Sequence, residues 1–154
     1  MGIGDHERPA LTADTVALRE EAGQLQVLLV KRGRPPFEGS WALPGGFVDA
    51  FELPEAAARR ELAEETGLTL GAGVPFALVG VYGEPGRDPC GWTVSVVFAA
   101  RAPEDAPSVT GSDDAADARW FPVESLPRPL AFDHDTVVAD AMRVFDTGGR
   151  SVLD

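Results

Sequence analysis

Residues 45–68 read GGFVDAFELPEAAARRELAEETGL, and how this stretch folds decides how the rest of the chain must be arranged. Pro54 suits the first turn of a helix, where its missing N–H is not needed. The alanine-rich run after it has high helix propensity, and Gly67 suits the stop. Glu61 and the pair Glu64 and Glu65 then stand three and four residues apart. At roughly 100° per residue their side chains project within an arc of about 100°, so three carboxylates meet on one face. Like charges at this spacing cost roughly a few tenths of a kcal/mol per pair. A hard divalent cation, Mg²⁺ first, offers the oxygen-ligand chemistry that offsets this cost. Taken alone, an acidic stretch of this kind also reads as solvated surface glutamates.

The surrounding residues distinguish the two readings. The pattern G-x5-E-x7-R-E-L-x-E-E-x-G-L is met in full by Gly46, Glu52, Arg60, Glu61, Leu62, Glu64, Glu65, Gly67 and Leu68. This is the Nudix box, and the chain resembles the Nudix hydrolases, which cleave a nucleoside diphosphate linked to a further group. The resemblance spans about residues 11–145 of a chain expected to be a single domain, 1–154. It implies an α/β fold, the Nudix α/β/α sandwich with a mixed sheet between helices. It also implies that Glu61, Glu64 and Glu65 carry most of the metal coordination, with a carbonyl from Gly45 or Gly46 and Glu52 in a supporting role. Arg60 is expected to pair with Glu52 and fix loop against helix, orienting and not reacting. Phe51 departs from the family, where glycine is common before the isolated glutamate.

The substrate's charge sets the chemistry such a site must perform. A diphosphate repels an incoming nucleophile, and two or more Mg²⁺ ions, or Mn²⁺ in their place, neutralise its oxygens and lower the pKa of a bound water. A carboxylate must then take the water's proton. Glu64 or Glu65 can do so; in several relatives an acid from a separate loop does, and here Asp113 and Asp114 in TGSDDAADARWF are the candidates. Their other reading is a polar, solvated turn.

Outside the box the chain alternates between strand and helix signals with no linker or repeat. Strands are predicted at 15–19, 25–31, 41–43, 76–82, 93–100 and 119–121, and an amphipathic helix from near Asp133 with Val137, Val138, Ala141, Met142 and Phe145 on its apolar side. Helices over both faces of a mixed sheet would bury these strands. A length of 154 residues with 44% apolar and 25% charged residues fits one soluble core. No run reaches about 18 apolar residues and the start MGIGDHERPA is no signal peptide, so a cytoplasmic location and no membrane partner are expected. The single cysteine, Cys90, excludes an internal disulfide, and with two scattered histidines a zinc site is not expected. The formal charge of −12 and the lack of a basic stripe argue against nucleic acid. A small nucleotide remains compatible, because bound Mg²⁺ reverses the local field.

The segment GVYGEPGRDPCGWT at 80–93 bears on the substrate. By composition it is a Gly/Pro-rich connection or a binding loop. It resembles the loop Y-x-x-P-x-R-D-P-R-G-H of bacterial and archaeal ADP-ribose pyrophosphatases at Tyr82, Pro85, Arg87, Asp88, Pro89 and Gly91. LAFDH at 130–134 recurs in the same group. Cys90 and Trp92 depart from it, standing where basic residues are common. Arg34 and Arg87 are the candidates to grip phosphate, or else to form surface ion pairs. Phe37 and Trp92 are candidates for adenine or ribose packing, or else rim packing. The resemblance implies ADP-ribose as the small-molecule nucleotide diphosphate substrate and a homodimer. The alternatives are a Nudix enzyme for nucleoside triphosphates, oxidised ones included, an NADH pyrophosphatase, and a silent sensor of ADP-ribose or NAD metabolites. The intact acids weigh against the sensor.

Overall fold

The computed structural model describes residues 7–106, 109 and 115–146. Its elements run β1 (Ala10–Glu21), β2 (Gln24–Arg32), β3 (Trp41–Ala42), β4 (Gly45–Phe47), α1 (Pro54–Thr66), β5 (Ala77–Tyr82), β6 (Thr93–Arg101), β7 (Ala115–Pro122) and α2 (His134–Asp146), with a 3-10 turn at Val123–Ser125. The strands form one sheet in the order β3-β2-β1-β6-β5, with β4 joined to β1 and β7 to β2. β1 and β6 are parallel and the other pairings antiparallel, so the sheet is mixed.

Helices cover both faces. Ala57, Ala58 and Leu62 of α1 pack with Ala13, Ala17, Leu28 and Phe98 in one core. Val137, Val138 and Ala141 of α2 pack with Val16, Leu18, Leu29 and Val97 in the other. Residues 13–18 of β1 are therefore buried without interruption instead of alternating, as a strand between two covered faces requires. The buried side of α1 consists of Ala57, Ala58, Leu62 and Thr66. Gly67 closes α1 in the left-handed region at φ 77°, with its N–H bonded to Ala63 O. Thr66, buried in the last turn, donates to Leu62 O and accepts from Leu68 N–H.

The predicted elements are all present, with two differences of extent. β1 begins at Ala10 instead of residue 15, because parallel pairing runs from Ala10 opposite Thr93 to Leu18 opposite Arg101. β7 likewise starts at Ala115, drawn out by its pairing with β2. β4 was not legible locally, since two glycines carry almost no strand propensity. It forms because Gly45, Gly46 and Phe47 pair with Asp14, Ala13 and Thr12.

That pairing forks the sheet. One edge of β1 pairs with β2 at residues 18–21 and with β4 at residues 12–14, with Thr15 N–H donating to Pro44 O between them. A cleft opens where the partner changes, and the helix α1 delivers its acidic side to it.

Candidate active site

The cleft is a cavity of about 440 Å³. Thr12 and Asp14 from β1, Arg32 and Arg34 from the end of β2 and its loop, Gly45 to Phe47 from β4, and Glu61 and Glu65 from α1 line it. Arg87, Asp88, Cys90 and Thr93 approach from the β5–β6 connection, and Phe132 and His134 from the start of α2.

Its glycines are required by contact. A β-carbon on Gly46 would strike the Glu61 carboxylate, and one on Gly45 would strike Asp14 Oδ1 and Ala13 O. The Gly45 N–H donates to Glu65 Oε1 at 2.7 Å. Three carboxylates, Asp14, Glu61 and Glu65, thus crowd one glycine pair. Burial pushes the Glu65 carboxyl up to about 8, the Gly45 N–H pulling it down and the neighbouring Glu61 and Asp14 adding to the rise. Burial likewise raises Asp14 to about 7, against the pull of Arg87 and with Asp133 and Glu61 pushing the same way. Glu61 is raised by burial too, against the opposing effect of Arg60.

Arg60 manages the other side of the cluster. Its guanidinium donates to both Glu52 oxygens at 2.9 Å, to Glu61 Oε1 at 2.7 Å, to Glu64 Oε2 at 3.3 Å and to Phe47 O at 3.0 Å. The expected clamp between loop and helix is thus formed. Glu52, whose Oε1 also accepts the Asp49 N–H, is held down to about 2 by the Arg60 hydrogen bonds. With both oxygens engaged, Glu52 supports the loop. The expected convergence of Glu61, Glu64 and Glu65 is only partial: Arg60 holds Glu61 and Glu64, while Glu65 turns to Gly45. Among the described residues no three His, Cys, Asp or Glu groups are already gathered around one point. The donors nevertheless suit a hard divalent cation: they are all oxygen, and burial raises Glu61 and Glu65, so keeping those two ionised carries a cost that a cation would remove, while Glu64 is exposed and outside the cavity wall.

The remaining predicted residues separate into three groups. Arg34 lines the cavity as expected, and Lys31, Arg32 and the aromatic Phe47 and Phe132 line it without having been singled out. Phe37 and Trp92 do not line it; Phe37 instead packs edge-on against Phe132 with centroids 4.9 Å apart. Asp113 and Asp114 lie outside the described residues, although the next described residue, Ala115, is in the cavity wall.

Arg87 reaches the cavity but is not free to grip phosphate. Its guanidinium forks onto Asp133 at 2.9 and 2.6 Å and donates to Ser95 Oγ at 2.9 Å, with its side chain only 4% exposed. The two motifs singled out in the sequence are thus halves of one clasp. Asp88 secures the same loop by accepting from Cys90 N–H at 2.8 Å and Thr93 Oγ1 at 2.9 Å. His134 accepts the Leu43 N–H on Nδ1 at 3.0 Å, and burial holds its ring down to about 4, so it is neutral.

Comparison with known proteins agrees with this geometry. The NUDIX domain model matches residues 8–141. The chain belongs to the Nudix family. The ADP-ribose pyrophosphatase of Methanocaldococcus jannaschii is 40% identical over 137 residues, which cover 88% of this chain and 74% of that protein. The ADPR responsive transcriptional repressor NtrR of Acinetobacter baylyi is 35% identical over 143 residues, 89% of this chain but 54% of the repressor. The NUDIX domain of Shewanella oneidensis NrtR, solved in complex with ADP ribose, superposes with a TM-score of 0.79 at 32% identity over 93% of this chain and 92% of that one. As a Nudix hydrolase this chain acts on a nucleoside diphosphate linked to a further group. No helix among the described residues is long and apolar enough to cross a membrane.

Proposed function

We propose that this Nudix protein is a divalent-metal-dependent pyrophosphohydrolase whose preferred substrate is ADP-ribose, cleaved to AMP and ribose 5-phosphate. The observation that carries the reading is the overcharged acidic floor beside Gly45 and Gly46 in a cavity walled by Arg32 and Arg34. Glu61, Glu64 and Glu65, with a carbonyl of Gly45 or Gly46, would hold the cation. Held there, a divalent ion would supply positive charge against the diphosphate oxygens and would lower the pKa of a water. Arg60 hydrogen-bonds Glu61 and Glu64 on α1 and ties them to the loop through Glu52. Arg34 and Arg32, at the mouth, supply positive charge for the phosphates, and Phe47 or Phe132 a face for a base or ribose. Glu64 or Glu65, or Asp113 or Asp114 from the segment that precedes β7 in sequence, would take the water's proton; asparagine or glutamine at each position in turn assigns it.

The ADP-ribose preference is supported by the fit of the 82–91 and 130–134 segments to the pattern of ADP-ribose pyrophosphatases, and by likeness to a curated enzyme of that name. A product-resolved screen of ADP-ribose, NADH, NAD, nucleotide sugars and nucleoside triphosphates, with Mg²⁺, Mn²⁺ or excess chelator, tests it. ADP-ribose is expected to have the highest kcat/KM, with AMP released only when a divalent ion is present. A preference of about tenfold for a triphosphate, equivalent to about 1.4 kcal/mol, would replace the substrate and keep the hydrolase. A second reading, an ADP-ribose sensor without turnover, draws on the likeness to the repressor NtrR; tight ADP-ribose binding with no AMP formed under any metal would select it.

A further inference from the structure

Asp14 is the buried charge in this molecule that neither the box pattern nor the clasp explains. Its side chain is 9% exposed, on the strand edge where β1 changes partner. Its only ion-pair geometry among the described residues is with His134, whose Nε2 stands 3.8 Å from Oδ2, and that ring is neutral. The Leu43 N–H occupies His134 Nδ1, so Nε2 carries the hydrogen and the ring offers Asp14 a dipole, not a charge. Arg87 is the nearest full positive charge, but it is already forked onto Asp133 and Ser95. A buried carboxylate without its own counter-charge is costly, and an asparagine of the same shape would remove the cost. The charge is therefore kept for something that the chain does not itself supply.

The surroundings of Asp14 show what that is. Oδ1 lies so close to Gly45 that no side chain fits there, and Gly45 is the residue whose N–H aims Glu65. Asp14, Glu61 and Glu65 line the same cavity around the glycine pair. On its far side stand Ser95 and Arg87, so Asp14 occupies the space between the clasp of the 83–92 loop and the glycine pair. We propose that Asp14 is a positioning residue of the cation site, seating Gly45 against Glu65 from the strand side and adding the negative charge that draws a divalent cation to Glu61 and Glu65. This deepens the metal-dependent reading and rests on it. It also gives the Arg87 clasp a reach into the site: through Ser95, the loop's closure sets where the Asp14 charge sits.

The test uses the full chain and Mn²⁺ alone, followed by the electron paramagnetic resonance signal of free Mn²⁺, beside thermal melts in chelator. Asp14→Asn is expected to weaken Mn²⁺ binding by about tenfold, from the loss of one nearby charge. Its melting temperature in chelator should equal or exceed that of the parent protein, because a repelled charge has gone and the shape is kept. A purely structural role predicts the reverse: a lower metal-free melting temperature with Mn²⁺ affinity unchanged, and that result overturns the proposal. Glu65→Gln is measured in parallel. If it too binds Mn²⁺ as the parent does, the metal-dependent reading itself fails; if it binds weakly and Asp14→Asn does not, only the role of Asp14 falls. Should Asp14→Asn not fold, Ser95→Ala keeps the charge and removes the hydroxyl beside it. A loss of roughly threefold in Mn²⁺ affinity is expected there, and none would again reject the proposal.

Discussion

Two charged regions meet in the cleft, and their charges are balanced in opposite ways. In the clasp, Arg87 and Asp133 satisfy one another through two parallel hydrogen bonds, and Ser95 takes a third donor. The Asp133 carboxyl is accordingly lowered: burial is the largest single influence and raises it, but the hydrogen bonds and charge of Arg87, with smaller contributions beside them, together outweigh it. Along α1 and β4, by contrast, Asp14, Glu61 and Glu65 face one another with Arg60 reaching only the outer part of the cluster, and all three are raised by burial. A region that balances its own charge holds shape. A region that leaves negative charge over suits a cation, as the proposed function requires.

The sharpest way to break the contrast is to remove the balancing charge from the clasp. Arg87→Met should lower stability by about 3 kcal/mol, because it strands Asp133 beside Asp14 with no partner; denaturant melts in chelator measure it. Asp133→Asn together with Arg87→Met should recover much of the loss, and a double variant no better than the single would mean that the pair is not the cause. If Arg87 chiefly gripped phosphate, the melt would hardly move and KM alone would rise.

Glu65→Gln probes the other region, with the reverse pattern. Turnover should fall by roughly 100-fold, about 2.7 kcal/mol, through loss of a charge at the cation. Stability should respond to pH in a set direction. The folded-state pKa of Glu65, about 8, lies above its ordinary 4.5, so the protonated form favours the fold. That contribution is complete below about pH 4.5 and is lost as pH rises through 8. In chelator, Glu65→Gln should therefore gain on the parent in melting temperature across that window and match it at the acid end. A flat difference between the two proteins would sink the claim that Glu65 is an uncompensated charge.

The smallest expected effect concerns the loop that joins β4 to α1. Phe51 sits at φ 64°, in the left-handed region, and is fully exposed. This accounts for the glycine that relatives carry there: the loop needs that backbone conformation ahead of Glu52, and phenylalanine is strained in it without any burial to offset the strain. Phe51→Gly should stabilise the protein by about 1 kcal/mol and leave Mn²⁺ affinity unchanged. A destabilised variant would show that the ring makes contacts in solution that outweigh its strain.

What could be read locally was read well. Helix α1 announces itself through Pro54, the alanines and Gly67, because capping and propensity act within a few residues. The Arg60 clamp, implied by the family resemblance, joins residues only eight apart. The α2 stripe of Val137, Val138 and Ala141 likewise needs only a 3.6-residue period to be seen. Arg87 was visible as a motif but not as a clasp, since its partner lies 46 residues away and nothing in the loop's own composition says which oxygen it meets. Trp92 and Phe37 had the chemistry of a nucleotide platform, yet the backbone turns them out of the cavity and puts Phe47 and Phe132 there instead.

The sequence by itself determined the family, the helix and the identity of the acids, because these rest on interactions between near neighbours and on a spacing that survives without knowledge of the fold. Only the tertiary structure decided how charge is shared among them. Asp14 lies 31 residues before its strand partner Gly45 and 81 before Ser95, in a run, TADTV, that reads as ordinary β1. The fork of β1 between β2 and β4 brings it to the acidic end of α1. Electrostatic energy depends on distance through space and on exclusion of water, and neither is written in the spacing along the chain.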